Sequence, residues 1–346
     1  MDGVFDELGG TMRGTDVSVG DERVAGMHDV LLGLAGRVPD EFLATVRQRL
    51  AEGGTGQVAE SVCQELAAGG VALSFREMGV LAEFLPGSAI STFSRIPIGD
   101  EQRVLAWHFT GAPSEPVGVD DAGVAGLVAV LSGTAGARGL WCVWRGPVSG
   151  RGPWLPVYVV EAGGGVDPVG LTGRLQRVLV VAGSGVPRVE VVVSGGEVPV
   201  YQRAARSYGR LVWAASEPVG LQLARVFDGV DEAGESVFEE DHPRLVDVVE
   251  RDRVLDYLRA GTVVLDTDST IDDVVDRSRG SVVPMSFRSD GVWIWPDIVC
   301  YYLEQYGLAP DEQLLAHIPP PPPPPAPLDA VAVHRVLEYL SRPQDA

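Results

Sequence analysis

Trp293 and Trp295 alternate with Val292 and Ile294. On a strand both indoles therefore point to one face and both aliphatic side chains to the other. Arg288, Ser289, Asp290 and Gly291 precede them as a turn between two strands, and Tyr301 and Tyr302 follow. Two readings fit. The rings form a recognition patch, with Arg288 and Asp290 adding polar specificity at the hairpin tip. Alternatively they pack on the helix that carries Tyr302, because a small unit needs large side chains for its core.

Other reactive residues stand apart. His28, His108, His242, His317 and His334 form no His-x-x-x-His pair, and no Cys-x-x-Cys accompanies them, so no zinc site is implied. Cys63, Cys142 and Cys300 are odd in number, far apart and set among apolar neighbours, which reads as three reduced structural thiols. The run 54–59 matches a dinucleotide fingerprint in form, but a helix precedes it where that motif needs a strand, so a helix-helix turn is expected. The aspartate-rich run 266–276 fails as a calcium loop, since Ile271 stands where glycine is needed and Arg277 where the bidentate glutamate belongs. No Gly-x-Ser-x-Gly elbow occurs. All 27 cationic side chains are arginine. Without lysine there is no internal Schiff base, no phosphate-loop lysine and no kinase-type lysine for ATP. No catalytic residue, metal or cofactor is assigned.

The segment 263–271, with Asp266 and Asp268, resembles the first motif of haloacid-dehalogenase-like phosphatases. The resemblance implies a nucleophilic Asp266, an acid/base Asp268 and Mg²⁺. Only 80 of the 346 residues follow Asp266, too few for the rest of that fold, and the family's lysine is missing. The two carboxylates are expected to cap a strand-to-helix turn.

Against 27 arginines stand 48 acidic residues, a net charge of -21. Association with phosphate backbones or anionic lipid would begin in repulsion, so neither nucleic acid nor membrane is an expected partner. A basic protein partner is complementary. Residues 1–26 carry Asp2, Glu7, Asp16, Asp21 and Glu22 without a basic start or an apolar core, and no 18-residue apolar run appears elsewhere. A cytoplasmic location is expected.

The periodicities predict an α+β fold. Residues 1–26 read as a flexible leader, with Met27 a second candidate start. Helical spacing over 27–87, broken by Pro39, Gly53, Gly69 and Pro86, predicts a helical domain. Strands over 140–144, 157–160, 189–193, 211–214 and 221–227, with helices over 171–181 and 201–208, predict a mixed α/β sheet domain over 105–230. An acidic link, 228–241, leads to a small α/β module over 242–318: a helix over 242–259, a strand over 262–265, a hairpin of 282–287 with 292–295, and a helix after Pro296 stopped by Gly307. Residues 319–327 form a polyproline linker, whose seven leading prolines span roughly 22 Å at about 3.1 Å each. An amphipathic helix over 328–342 groups Val333, Val336, Leu337 and Leu340 on one face.

The span 253–318 resembles a module of uncharacterised actinobacterial proteins, carried here by Val283-Pro284, Asp290-Gly291-Val292-Trp293-Ile294-Trp295 and Tyr301-Tyr302-Leu303. The resemblance, which covers about a fifth of the chain, implies a loose link with toxin and secretion loci and a toxin-neutralising or accessory role. The expected function is that of a noncatalytic protein-binding factor, immunity-like or chaperone-like, engaging a basic or apolar partner. Its expected binding residues are Arg288, Asp290, Trp293, Trp295, Val333, Leu337 and Leu340. Two alternatives stay open. One is an enzyme with a dispersed site around Arg145, Tyr201 and Arg203. The other is a scaffold subunit docking through its last helix, with homo-oligomers among its outcomes.

Overall fold

The computed structural model describes residues 13–99, 105–113, 121–320 and 323–342, with side chains from residue 22 onward. The fold is α+β, and the chain divides into two compact units, Met1–Ala215 and Ser216–Ala346.

The first unit comprises α1 (Arg13–Gly33), α2 (Asp40–Ala51), α3 (Thr55–Gly69), α4 (Phe75–Ala82), α5 (Ile90–Phe93), β1 (Trp107–Thr110), α6 (Asp121–Ser132), β2 (Ala137–Pro147), β3 (Leu155–Ala162), α7 (Pro168–Val181), β4 (Val189–Val193), α8 (Val200–Tyr208) and β5 (Arg210–Ala214). Its sheet runs β1-β2-β3-β4, with β5 also on β2. Only β3 and β4 are parallel, so the chain must cross over between them, and α7 is that crossover. The strand alternation sends Leu140, Cys142, Tyr158 and Val160 to one face, under α6 and α7, and Trp141, Val143 and Arg145 to the other, beside α8.

The helices expected as a separate 27–87 domain belong to this unit. β4 is an edge strand, and α1 and α2 close it: the His28 Nε2 lies 2.8 Å from the Val191 carbonyl, and Arg47 donates to the Val189 carbonyl at 3.0 Å. α1 starts at Arg13, inside the expected leader, and no proline interrupts residues 13–33. Residues 1–12 of that leader lie outside the described residues. α6 and β1 were not expected. Gly123 and Gly126 bring α6 close to α7: a Cβ at Gly126 would meet Val178 at 2.6 Å.

The second unit contains β6 (Gln222–Leu223), β7 (Gly229–Val230), β8 (Ser236–Val237), α9 (Val248–Ala260), β9 (Thr262–Leu265), β10 (Thr270–Asp272), β11 (Ser281–Pro284), β12 (Phe287–Ser289), β13 (Trp293–Pro296), α10 (Asp297–Tyr306), α11 (Glu312–His317) and α12 (Ala330–Ser341). Its sheet runs β6-β13-β12-β9. One face packs Trp293 and Trp295 on α9, α10 and α11; the other packs Ile294 and Val264 under α12.

Several expectations shift. The strand read over 221–227 shortens to β6 and pairs with β13, so it belongs here and not to the central sheet. The hairpin partner of β13 is β12; Val283 and Pro284 pair instead with Ile271 and Thr270, after which the Ser286 hydroxyl bonds Asp266 and the Thr267 backbone. α9 begins six residues later than 242, because residues 243–245 run beside 307–309 and Asp247 then caps the helix through the N–H groups of Val249 and Glu250.

Candidate functional site

Each expected binding residue can be placed. Trp293 and Trp295 are 5% and 0% exposed, so the indoles are core and present no ring to a partner. The Trp295 indole N–H donates to the Leu258 carbonyl at 3.2 Å, and Gly261 leaves room for the ring. Arg288 is spent on Asp297 at 2.7 Å and on the Arg259 and Gly261 carbonyls. Asp290 accepts from the N–H groups of Val292 and Trp293, from Tyr257 at 2.8 Å and from His317 at 2.7 Å. Burial alone would raise its carboxyl; those four bonds more than offset it and hold it below the ordinary value. The hairpin tip is therefore a structural turn, which corrects its reading as a recognition patch. Val333 and Leu340 pack around Val336 on the chain's own sheet, while Leu337 is 36% exposed and points away from the buried seam.

The conspicuous motifs of this module serve packing too. Asp273 is buried and accepts from the hydroxyls of Tyr301, at 2.8 Å, and Tyr306. Asp266 and Asp268 are exposed, and β10 rather than a helix follows them, which corrects the expected strand-to-helix cap. Burial pushes the Cys63 and Cys142 thiols up to about 11 and Cys300 up to about 12, which keeps them protonated and unreactive.

Of the residues proposed for a dispersed enzyme site, two meet and one does not. Arg145 donates to the Tyr201 hydroxyl at 3.0 Å and to Asp40 at 2.5 Å, with its guanidinium 3.9 Å from the Trp107 ring centroid. Beside them Arg47 grips Glu190 with both terminal nitrogens, at 2.8 and 2.7 Å. Space there amounts to about 10 Å³, room for one water and no substrate. Arg203 is exposed and lines a different space.

That space is the large groove of the first unit, about 1470 Å³. β3 and β4 are parallel and end on the same side, and the chain beyond each turns into α7 and α8. Ligands of open α/β sheets occupy the crevice outside such strand ends. Gly164, Gly165 and Gly196 floor the groove, and a Cβ at Gly164 or Gly165 would meet nothing within 4 Å. Glu161 at the end of β3 fixes the floor by accepting from Ser194 at 2.7 Å and Arg206 at 3.1 Å. α1 supplies Gly26 and Asp29 to one wall, and the first turn of α4 supplies Phe75 and Arg76 to another. Phe75 is 73% exposed. The Asp167 carboxylate caps α7 by accepting from the N–H groups of Val169 and Gly170, both at 3.0 Å.

One sequence signal pointed here: a glycine triplet, 163–165, lies between the strand read over 157–160 and the helix read over 171–181. The contributions of α1 and α4 are set by tertiary packing and leave no such trace. Among the described residues, no three His, Cys, Asp or Glu side chains are grouped to hold a metal ion, and no helix is long and apolar enough to cross a membrane. Compared with known proteins, the chain matches no family model, no curated protein and no solved structure.

Proposed function

We propose that this chain is a noncatalytic, cytoplasmic protein-binding factor that receives an extended segment of a partner protein in the groove beyond β3 and β4. The observation that carries the reading is the groove's size set against its chemistry. At about 1470 Å³ it exceeds the roughly 300–1,000 Å³ of small-molecule pockets. Its floor is glycine backbone, suited to a second backbone lying close. A phosphate-bearing ligand fits poorly, because Asp167 already occupies the free N–H groups of α7 with a negative charge.

An immunity-like or chaperone-like role accords with this reading, as does the resemblance of residues 253–318 to proteins of toxin and secretion loci. The Arg145–Tyr201 cluster supports an enzyme less well, since both terminal guanidinium nitrogens of Arg145 are taken by Tyr201 and Asp40 and no substrate-sized space adjoins it. Docking of the last helix into another chain is also less favoured, because that helix already covers its own sheet.

The test is affinity capture from the native host with the parent chain and with two filled-groove variants, Gly164→Trp and Gly165→Trp, followed by mass spectrometry. Neither position has a positive φ or a close neighbour, so both variants are expected to melt like the parent. A partner held by the parent and lost by both variants supports the reading. Identical captures contradict it.

A further inference from the structure

We propose that residues 323–327 are a docking strap for a partner domain that reads polyproline II helices in an aromatic-lined groove. The strap belongs to the second unit and is independent of the groove in the first.

Its sequence is Pro323-Pro324-Pro325-Ala326-Pro327. Proline fixes φ at about -65° and has no N–H, so such a run favours extended polyproline II, with about three residues per turn. Burial along the segment follows that period. Pro323 and Pro324 are exposed and Pro325 is half-buried; Ala326 and Pro327 are exposed and Leu328 is half-buried again. One edge of the strap, Pro325 with Leu328, therefore rests on the domain. The other two, Pro323 with Ala326 and Pro324 with Pro327, face solvent.

Both flanks are fastened. Before the strap, Ile318 is buried in the core that holds Trp293 and Trp295, and Arg253 donates to the Pro319 carbonyl at 3.2 Å. After it, the Leu328 N–H donates to the Thr262 hydroxyl at 3.0 Å, and Leu328 packs in the seam that seats α12 through Val336. A linker needs only reach. Fastening both ends of a stiff backbone also removes conformational freedom that a loose proline peptide must give up on binding.

Four of the five residues lack an N–H, so a partner gains little by adding a β-strand alongside. What the outward edges offer is pyrrolidine rings and carbonyl acceptors. Tryptophan and tyrosine complement both, with a flat apolar ring and an N–H or O–H donor, and grooves lined by them are the general readers of polyproline II. No arginine or lysine stands between Arg288 and Arg335, so the groove needs no acidic pocket for a flanking cation.

The full chain and the free peptide of residues 318–329 are each titrated, by fluorescence anisotropy, against a labelled WW domain and a labelled EVH1 domain. Variants of the full chain are Pro324→Ala with Pro327→Ala on an outward edge, Pro325→Ala on the inward edge, and Pro319→Ala with Pro320→Ala before the strap. At least one domain is expected to bind the full chain as tightly as the peptide or more so. Pro324→Ala with Pro327→Ala weakens that binding about tenfold or more, as the loss of two ring contacts requires. Each of the other variants weakens it less than about fivefold, the size of lost preorganisation. Pro324 and Pro327 are exposed, so their variant is expected to melt like the parent. Binding of neither domain, or a full chain that binds much more weakly than the peptide, overturns the proposal. So does an affinity unmoved by Pro324→Ala with Pro327→Ala, or an equal or larger loss in either other variant.

Discussion

The Nε2 of His28 on α1 lies 2.8 Å from the carbonyl of Val191 on the outer edge of β4, so a buried imidazole closes a strand edge to pairing. Burial is the main reason that its pKa drops from 6.5 to about 4, and the imidazole is neutral at pH 7, donating its Nε2 proton. As pH falls below 6.5 the unfolded chain takes up a proton that the folded chain refuses until about pH 4. Stability is therefore lost across that window, by roughly 3 kcal/mol at about 1.36 kcal/mol per pH unit. Urea unfolding at pH 7 and at pH 4.5 is expected to show this loss in the parent and a smaller one in His28→Gln, which keeps a donor that does not titrate. Equal losses would remove His28 as the cause.

Trp295 and Gly261 form one packing unit, since a Cβ at Gly261 would meet the indole at 2.4 Å. Trp295→Ala is expected to cost about 3–5 kcal/mol and Gly261→Ala about 1–3 kcal/mol. Both losses belong to the second unit. Calorimetry that follows two transitions is expected to show the one assigned to Ser216–Ala346 moving down while the other stays.

Arg47 and Glu190 are each 3% exposed. Arg47→Met strands a buried carboxylate and is expected to destabilise the first unit by about 3–5 kcal/mol; adding Glu190→Leu is expected to recover a large part of that. A double variant no more stable than Arg47→Met would argue against a paired role.

On α12, Val336 is fully buried and Leu337 is not. Val336→Asp is expected to unseat the helix and make residues 323–342 sensitive to limited proteolysis. Leu337→Ser, on the open side, is expected to change stability by less than about 0.5 kcal/mol. Equal sensitivity in the two variants would contradict the docked seam.

Strands were legible where one face is buried continuously, as in β2, β3, β4 and β9, because their β-branched runs are bounded by glycine, proline or charge. α6 was hidden because its glycines serve close helix approach rather than a turn. The tryptophan pair was visible as a feature, but its spacing fits a core and a surface equally, and only the helices α9 to α11 decide for the core. The groove was the least legible. Asp29, Phe75 and Gly165 lie far apart in sequence, and nothing local to any of them says that they share a space.

The central claim is that polypeptide binds beyond the ends of β3 and β4, and amide hydrogen exchange of the full chain with and without a partner that the parent captures and the filled-groove variants lose tests it most directly. The account predicts slowed exchange in residues 22–33, 164–170 and 193–200, with the acidic β7–β8 hairpin over 228–241 unchanged. Slowing confined to 228–241, or to no segment, would contradict it.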